Sequence, residues 1–523
     1  MVRHAKRPVR DVKRDEAGRE RTGRESRKDK DVMTQPLGRS SAVAGSLIGA
    51  SAPDRTGIVH LGLGNFHRAH GAVYTAQAMA AAGGDWGIRG FAHSSDRVVA
   101  PMRAQDNVYS ILQLTEGGTR AGLVDVHRDT GVAAHDPEAV VAAIADPAHR
   151  IVSLTVSEVG YTRDPATGRL ALDHPDVAAD LAGGATPRTA MGMIARGLER
   201  RAVSGEPLAV VSCDNLQSNG DVTRAVIEEF LGAAGASDDV LSFVSSSVSF
   251  PNGMVDRIVP KTTDEHSRRV ADLLGVTDRC PVPAEDFSMW VLEDDFAGGR
   301  PAWDLAGVTF STEIEAYEMV KLRLLNGSHS LIAYLGILCG APTIDTAWGQ
   351  DFVREAVLGG IAHDYLPTFT PPTGFDPDAY VSELDARWRN PLIGHATTQV
   401  GSDGSVKLLQ RIPDAALFHL RKGRMPHHLA LCTAAWLACV APPAGFTPDP
   451  LSARIAEPAR ERLAAAVDGA VTTGDHVHRV MAGGFFPEAL AERDDFTARV
   501  VELLTTITRD GVRAAAADVA ASH

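Results

Sequence analysis

At 523 residues the chain is too long for one ordinary hydrophobic core, so two large domains are expected. A hydrophobic content of 44% marks a globular protein, and a formal net charge of −14 argues against nucleic acid or an anionic membrane surface as partner. Five widely spaced cysteines (Cys213, Cys280, Cys339, Cys432, Cys439) show no metal-ligand spacing and read as reduced thiols of a cytoplasmic protein.

The first thirty residues carry twelve Lys/Arg against six Asp/Glu and no apolar run, which excludes a secretory signal. Residues 1–50 are expected to be a disordered basic tail and a small-residue linker, because nothing there can fill a core. A basic binding arm, or a start at Met33, accounts for the same composition.

Ordered structure is expected from Gly57. The run Gly57–Leu61 reads as a buried strand, followed by Gly62-Leu63-Gly64 and a helix over Arg68–Ala82. Strand, G-x-G and helix open a dinucleotide-binding βαβ unit, in which the glycines admit a pyrophosphate. The third glycine of the full fingerprint is missing, and a plain strand–turn–helix fits as well. A second strand is expected at Gly87–Ala92, with Asp96 and Arg97 just beyond it. An acid there holds the ribose hydroxyls of NAD and repels the extra phosphate of NADP, although Asp96 also suits a helix N-cap.

Ile151–Val156 and Leu208–Cys213 are short apolar runs of the kind buried in a parallel sheet. Helical patterns at Pro137–Ala145, Arg188–Val203 and Val222–Leu231 separate or follow them. Ser157-Glu158 and Asp214-Asn215 stand at the carboxyl ends of these strands, where such sheets bind ligands. Near Phe250 the texture changes. Residues 51–245 are expected to form the dinucleotide-binding domain and 246–515 a mostly helical catalytic and substrate domain. Trp290–Phe296 reads as one more strand, and Leu331–Cys339 as a buried helix too short to span a bilayer.

The stretch Glu318–His329 (EMVKLRLLNGSH) concentrates chemistry. At about 100° per residue, Glu318 falls about 60° from Lys321, His329 about 80° and Asn326 about 140°, which places all four on one helical arc. Gly327 falls on the other side, where a neighbouring element can approach. A lysine beside an imidazole and a carboxamide can move a proton from a hydroxyl and steady the resulting oxygen. An exposed polar helix face explains the four residues equally well.

Six ordered motifs resemble the polyol-specific long-chain dehydrogenases, the mannitol dehydrogenase family. They are Ile58–His70 (which includes Phe66), Ser212–Gly220, Phe250–Pro260, Trp290–Trp303, Lys321–His329 and Asp403–Lys407. The resemblance spans Gly57–Gly511 and implies an α/β chain, with an N-terminal Rossmann-type parallel sheet and a mostly helical C-terminal domain. It also implies an enzyme that uses NAD or NADP without metal, often as a monomer. Carried over residue by residue, it implies a catalytic lysine at Lys321, carboxamides at Asn215 and Asn326, and a histidine at His329. It further implies a proton-exchanging carboxylate at Glu318, a supporting acid at Asp256 and a ribose-binding acid at Asp96. Lys407 matches a lysine that touches substrate hydroxyls. Gly62, Gly64, Phe66, Asp96 and Arg97 make up the expected cofactor contacts, with NAD preferred.

One departure bears on substrate. Mannitol 2-dehydrogenases carry an arginine eight residues before that lysine, where this chain has Gln399. The change looks more like the uronate-reducing branch, which interconverts fructuronate and mannonate. Lys407, Arg387, Arg389 and His395 are candidate partners for a substrate carboxylate. Mannitol/fructose is the alternative, and a hexitol phosphate ranks third because no arginine cluster with phosphate-binding spacing appears. An NAD-binding sensor without catalysis is the reading from a different class, and its signature would be loss of Lys321 or of both asparagines.

Overall fold

The computed structural model describes residues 35–41, 46–49, 53–164, 167–182 and 186–522. The expected tail, residues 1–30, lies outside the described residues. Within the expected linker, Gln35–Pro36 pairs in parallel with Val276–Thr277, and Leu37 is buried against Val108, Leu123 and Val276. One apolar side chain and two backbone pairings suffice to lay this segment on the body.

Six parallel strands form the central sheet: β1 (Thr56–Leu61), β2 (Gly87–Ala92), β3 (His127–Val132), β4 (Ile151–Leu154), β5 (Leu208–Ser212) and β6 (Val248–Ser249). Their order across the sheet is β3-β2-β1-β4-β5-β6, that of a dinucleotide-binding fold, with the order reversing beside β1. β1, β4 and β5 are buried along almost their whole length, as strands covered by helices on both faces must be. β3 is the strand its sequence hides. Only His127, Thr130 and Val132 of HRDTGV are buried, and the strand is the edge of the sheet. An antiparallel pair, Tyr109–Thr115 with Gly118–Val124, precedes it.

The helix expected over Arg68–Ala82 is two helices, α1 (Asn65–Ala69) and α2 (Gly71–Ala82), broken at His70 with φ −121° and ψ −91°. The break follows from the polar side chains under α1, since His67, Arg68 and His70 are all buried. Among the short strands after β6 are β7 (Gly253–Asp256), β8 (Val282–Glu285) and β9 (Met289–Leu292), with β7 and β9 antiparallel. Val255, Val282, Trp290, Leu292, Trp303 and Val308 join the apolar cluster on one face of the central sheet. The stretch from Phe250 to Val308, expected with the second domain, therefore packs with the first. Its strands are too short to bury their own apolar faces, and the sheet supplies the cover.

From Ile314 onward the chain is helical around a separate core that runs from Val320 to Val519. At its centre is α4 (Ser328–Leu338), buried from Ser328 to Ile337 and packed on the helix His427–Val440. α4 follows α3 (Ile314–Val320) and the segment Lys321–Gly327. About this core also pack α5 (Pro377–Arg389) and α6 (Gly404–Arg411). No described helix is long and apolar enough to cross a membrane.

Candidate active site

The segment Lys321–Gly327 is a π-helix, not an α-helix. With i→i+5 bonding, five residues make little more than one turn, where an α-helix would make about 1.4 turns. Lys321 and Asn326 are five apart, so the wider turn swings Asn326 towards the lysine. Both line the same two cavities. Gly327 faces the opposite way, and a Cβ there would lie 2.5 Å from the ring of Tyr365. Tyr365 belongs to a second π-helical segment, Gly360–Tyr365, packed against the first.

The larger cavity, of about 680 Å³, opens at the carboxyl ends of β1, β4 and β5, where Gly62, Gly64, Phe66, Asn215, Asp256 and Lys321 meet. An adjoining cavity of about 370 Å³ shares Glu158, Asn215, Lys321 and Asn326 and adds Glu318 and Gln410. The glycine loop suits a close-lying ligand. Gly62 has φ +100°, and a Cβ on it would lie 2.0 Å from the Thr155 carbonyl oxygen. At Gly64 nothing lies closer than 3.6 Å, so the backbone edge there is open. At the position of the missing third glycine, His67 stacks on His60 with ring centroids 3.3 Å apart.

Lys321 Nζ donates to Asn215 Oδ1 at 2.7 Å and to the Val255 carbonyl at 2.7 Å. Burial lowers the lysine pKa, and Arg387 and Arg411 push the same way against Asp256 and Glu318. Glu318 receives the Ser218 N–H at 3.0 Å, and burial raises its carboxyl to about 7. The Asn326 carboxamide makes no side-chain hydrogen bond with the described residues.

Two residues that the motifs contain, but to which the sequence reading gives no role, hold Asn215 in place. Asp214 accepts from the backbone N–H of Val156 and Ser157 and from Tyr161 Oη. This fixes Ser157 at φ +63°, a left-handed conformation that a serine rarely takes unaided. Buried Asn219 donates to the Ser212 and Gly253 carbonyls and receives the Gly253 N–H, tying the end of β5 to β7. Asp214 is marked by its position at the carboxyl end of β5; Asn219, the first residue of the following helix, carries no such signal.

Asp256 lies on the wall of the larger cavity, yet its carboxylate is engaged behind it. Arg387 donates to Asp256 at 2.7 and 3.0 Å and to Glu285 at 2.8 and 2.9 Å, with all three side chains buried. Burial pushes the Glu285 carboxyl up, and Arg387 opposes the shift. Arg387 is therefore not free for a substrate carboxylate. Nor is Arg389, exposed and paired with Asp385 at 2.9 Å.

Five expected site residues stand apart from the two cavities. Asp96 borders a separate concavity of about 430 Å³ with Arg89 and Arg103, at the carboxyl end of β2 next to the glycine loop. It does not cap the following helix, whose N-cap is Val98. Arg97 is exposed, its backbone N–H directed to Ser95 Oγ. His329 does not touch Lys321. It lies behind the π-helix in a small void with Trp388 and His395. Lys407, half-buried on α6, reaches the Val400 carbonyl at 3.4 Å and Asp403 at 3.8 Å. Gln399 is exposed and lines neither cavity, whereas Gln410 lines the smaller one.

A parallel sheet in this order, joined to a helical body with a lysine–carboxamide pair at the strand ends, defines a dinucleotide-dependent dehydrogenase architecture. Residues 56–305 match the mannitol dehydrogenase Rossmann domain and residues 313–508 the mannitol dehydrogenase C-terminal domain. The chain belongs to the mannitol dehydrogenase family of oxidoreductases. It is 36% identical over 465 residues to a D-mannonate oxidoreductase of Escherichia coli (strain K12), covering 87% of this chain and 94% of that one. To a mannitol 2-dehydrogenase of Phaeosphaeria nodorum it is 35% identical over 475 residues, with 89% and 82% covered. The crystallised ternary complex of Pseudomonas fluorescens mannitol 2-dehydrogenase with NAD and D-mannitol superposes with a TM-score of 0.79 at 30% identity, covering 94% of this chain and 100% of that one.

Proposed function

We propose that the protein transfers hydride between NAD and the C2 carbinol of an open-chain sugar derivative, with Lys321 as the base. The observation that carries this reading is the pair of fixed acceptors on Lys321. A neutral amine has two N–H groups and one lone pair. Asn215 Oδ1 and the Val255 carbonyl take the two N–H groups, and the lone pair is left for the cavity.

The glycine loop fits the cofactor: Gly62 permits a backbone turn closed to any side chain, and Gly64 leaves an open edge on the cavity that reaches Lys321. Gly62, Gly64 and Phe66 would hold its pyrophosphate and nicotinamide ends, with Asp96 and Arg97 at the ribose. NAD supplies the hydride acceptor at C4 of its nicotinamide ring. Lys321 takes the hydroxyl proton, and burial already favours its neutral form. Asn215, its Oδ1 held by the lysine, keeps its N–H₂ for the substrate oxygen. Asn326 presents a second carboxamide, so developing negative charge meets two donors. Glu318, three residues before Lys321 and titrating near 7, passes the proton on towards water.

For the substrate, an aldonate/2-keto-uronate pair, mannonate and fructuronate, is the lead. Lys407 supports it: a half-buried ammonium close enough to the cavity-lining Glu158 to feel its charge. The engagement of Arg387 and Arg389 in ion pairs favours the second reading, a neutral hexitol such as mannitol, which needs hydroxyl partners only. A panel of fructuronate, tagaturonate, fructose and fructose 6-phosphate, followed by NADH absorbance, tests both. Fructuronate is expected to give the highest kcat/KM. Preference for fructose replaces the uronate by the hexitol, and no turnover with any 2-keto sugar overturns the proposal.

A further inference from the structure

Behind the π-helix, between α4 and α5, lies a void of about 10 Å³ bordered by His329, Trp388 and His395. That is about the space one water needs. Three polar atoms at this void, His329 Nε2, Trp388 Nε1 and His395 Nδ1, are buried without a protein partner. His329 is 8% exposed and Trp388 1%. The His329 ring centroid lies 6.0 Å from that of Trp388 and 5.7 Å from that of His395, yet none of the three nitrogens has a protein partner, which leaves a water to bridge them. Two other polar neighbours are engaged elsewhere: Arg387 on Asp256 and Glu285, Asn390 on the Leu114 carbonyl and the Leu392 N–H.

We propose that this void is a built site for a single structural water, which accepts from Trp388 Nε1–H and donates to His329 Nε2 and His395 Nδ1. The counting is met by this arrangement. An indole N–H can only donate, so it takes a lone pair of the water and leaves both water protons for the two imidazoles. His329 then carries its proton on Nδ1 and has its Nε2 lone pair occupied. Such a ring is a hydrogen-bond donor and not a base, which leaves Lys321 as the base among the residues of this helix. Trp388 and His395 are positioning residues that act through His329. Burial and the neighbouring His395, Arg387, Arg411 and Lys407 all disfavour a charged His329, in keeping with a neutral ring. Asp345 also borders the void. A water proton given to Asp345 in place of a ring would leave that ring protonated at the void.

The effect on turnover rests on the function proposed above, but the water and the tautomer do not. The test is a high-resolution crystal structure of the full chain, together with ¹⁵N spectra of histidine-labelled protein assigned through His329→Ala. We expect one ordered water within hydrogen-bond distance of all three nitrogens, and a His329 signal with Nδ1 protonated and Nε2 bare. Trp388→Phe keeps an aromatic ring against Trp348, 4.6 Å between centroids in the wild type, and removes the donor together with part of the indole's volume. It should mix the His329 tautomers and lower kcat about three- to tenfold, the size of one lost hydrogen bond, with the Kd for NADH within about twofold. A void without density, a metal ion in place of the water, or His329 protonated on Nε2 overturns the proposal. An unchanged kcat in Trp388→Phe overturns the positioning role. Absence of turnover with every sugar would remove the function and leave the wild-type water and tautomer readings standing.

Discussion

Lys321 Nζ lies 2.7 Å from Asn215 Oδ1, which joins residues 106 apart in sequence and couples the π-helix of the helical body to the carboxyl end of β5. The candidate site exists only where these two elements meet. In the proposed mechanism each contributes one half of a proton-accepting and oxygen-binding pair.

Glu318 is expected to set the pH dependence. Its carboxyl is raised to about 7 because burial penalises the charged form. Below that pH it is protonated and cannot take a proton handed on by Lys321. Alcohol oxidation is therefore expected to rise through about pH 7, and Glu318→Gln to remove that limb and lower kcat. A pH profile of kcat for both proteins checks it; an unchanged limb in the variant would assign it elsewhere.

Cofactor choice is expected to follow Asp96, at the carboxyl end of β2 beside the glycine loop. NAD should exceed NADP by at least about tenfold in kcat/KM, about 1.4 kcal/mol, and Asp96→Ala should narrow the gap. Equal use of NADPH by the wild type would contradict this.

Arg387 holds two buried carboxylates from β7 and β8. Arg387→Met leaves both without their cation and should cost about 3–5 kcal/mol of stability. The pH sign follows from burial, which raises the pKa of an unpaired carboxyl. A group with a raised folded pKa resists ionisation, so the cost is full at high pH and fades on acidification as the carboxyls protonate. The Tm deficit of the variant should be larger at about pH 8 than at about pH 5. A deficit independent of pH would argue for lost packing alone.

How much of this was legible in the sequence depended on the range of the interaction. The glycine loop, β1, β2 and the strand-end pairs Ser157-Glu158 and Asp214-Asn215 announce themselves locally, because a buried parallel strand needs an unbroken apolar run and a turn after it. β3 did not, since this edge strand buries only three of its six residues and HRDTGV looks polar. The arc drawn from Glu318 to His329 assumed α-helical spacing. The π-helix brings Asn326 to Lys321 instead and leaves His329 behind them, and nothing in KLRLLNG signals the wider turn. Arg387 read as a possible substrate contact because its acids, Asp256 and Glu285, lie 131 and 102 residues away. A helical periodicity carries no trace of such partners.

Lys407 bears on substrate charge. Lys407→Met should weaken kcat/KM for fructuronate more than for fructose, by about 1–2 kcal/mol, because only the former has a carboxylate to lose its partner. Equal losses for both would move the preference to the neutral hexitol.

The most direct test of the account is the hydride-transfer rate of Lys321→Ala under chemistry-limited conditions, beside its Kd for NADH. We predict a loss of about 10²–10⁴-fold in kcat with NADH affinity nearly intact, and partial recovery with added primary amines. Retention of more than about a tenth of the wild-type rate would contradict the assignment of Lys321 as the base.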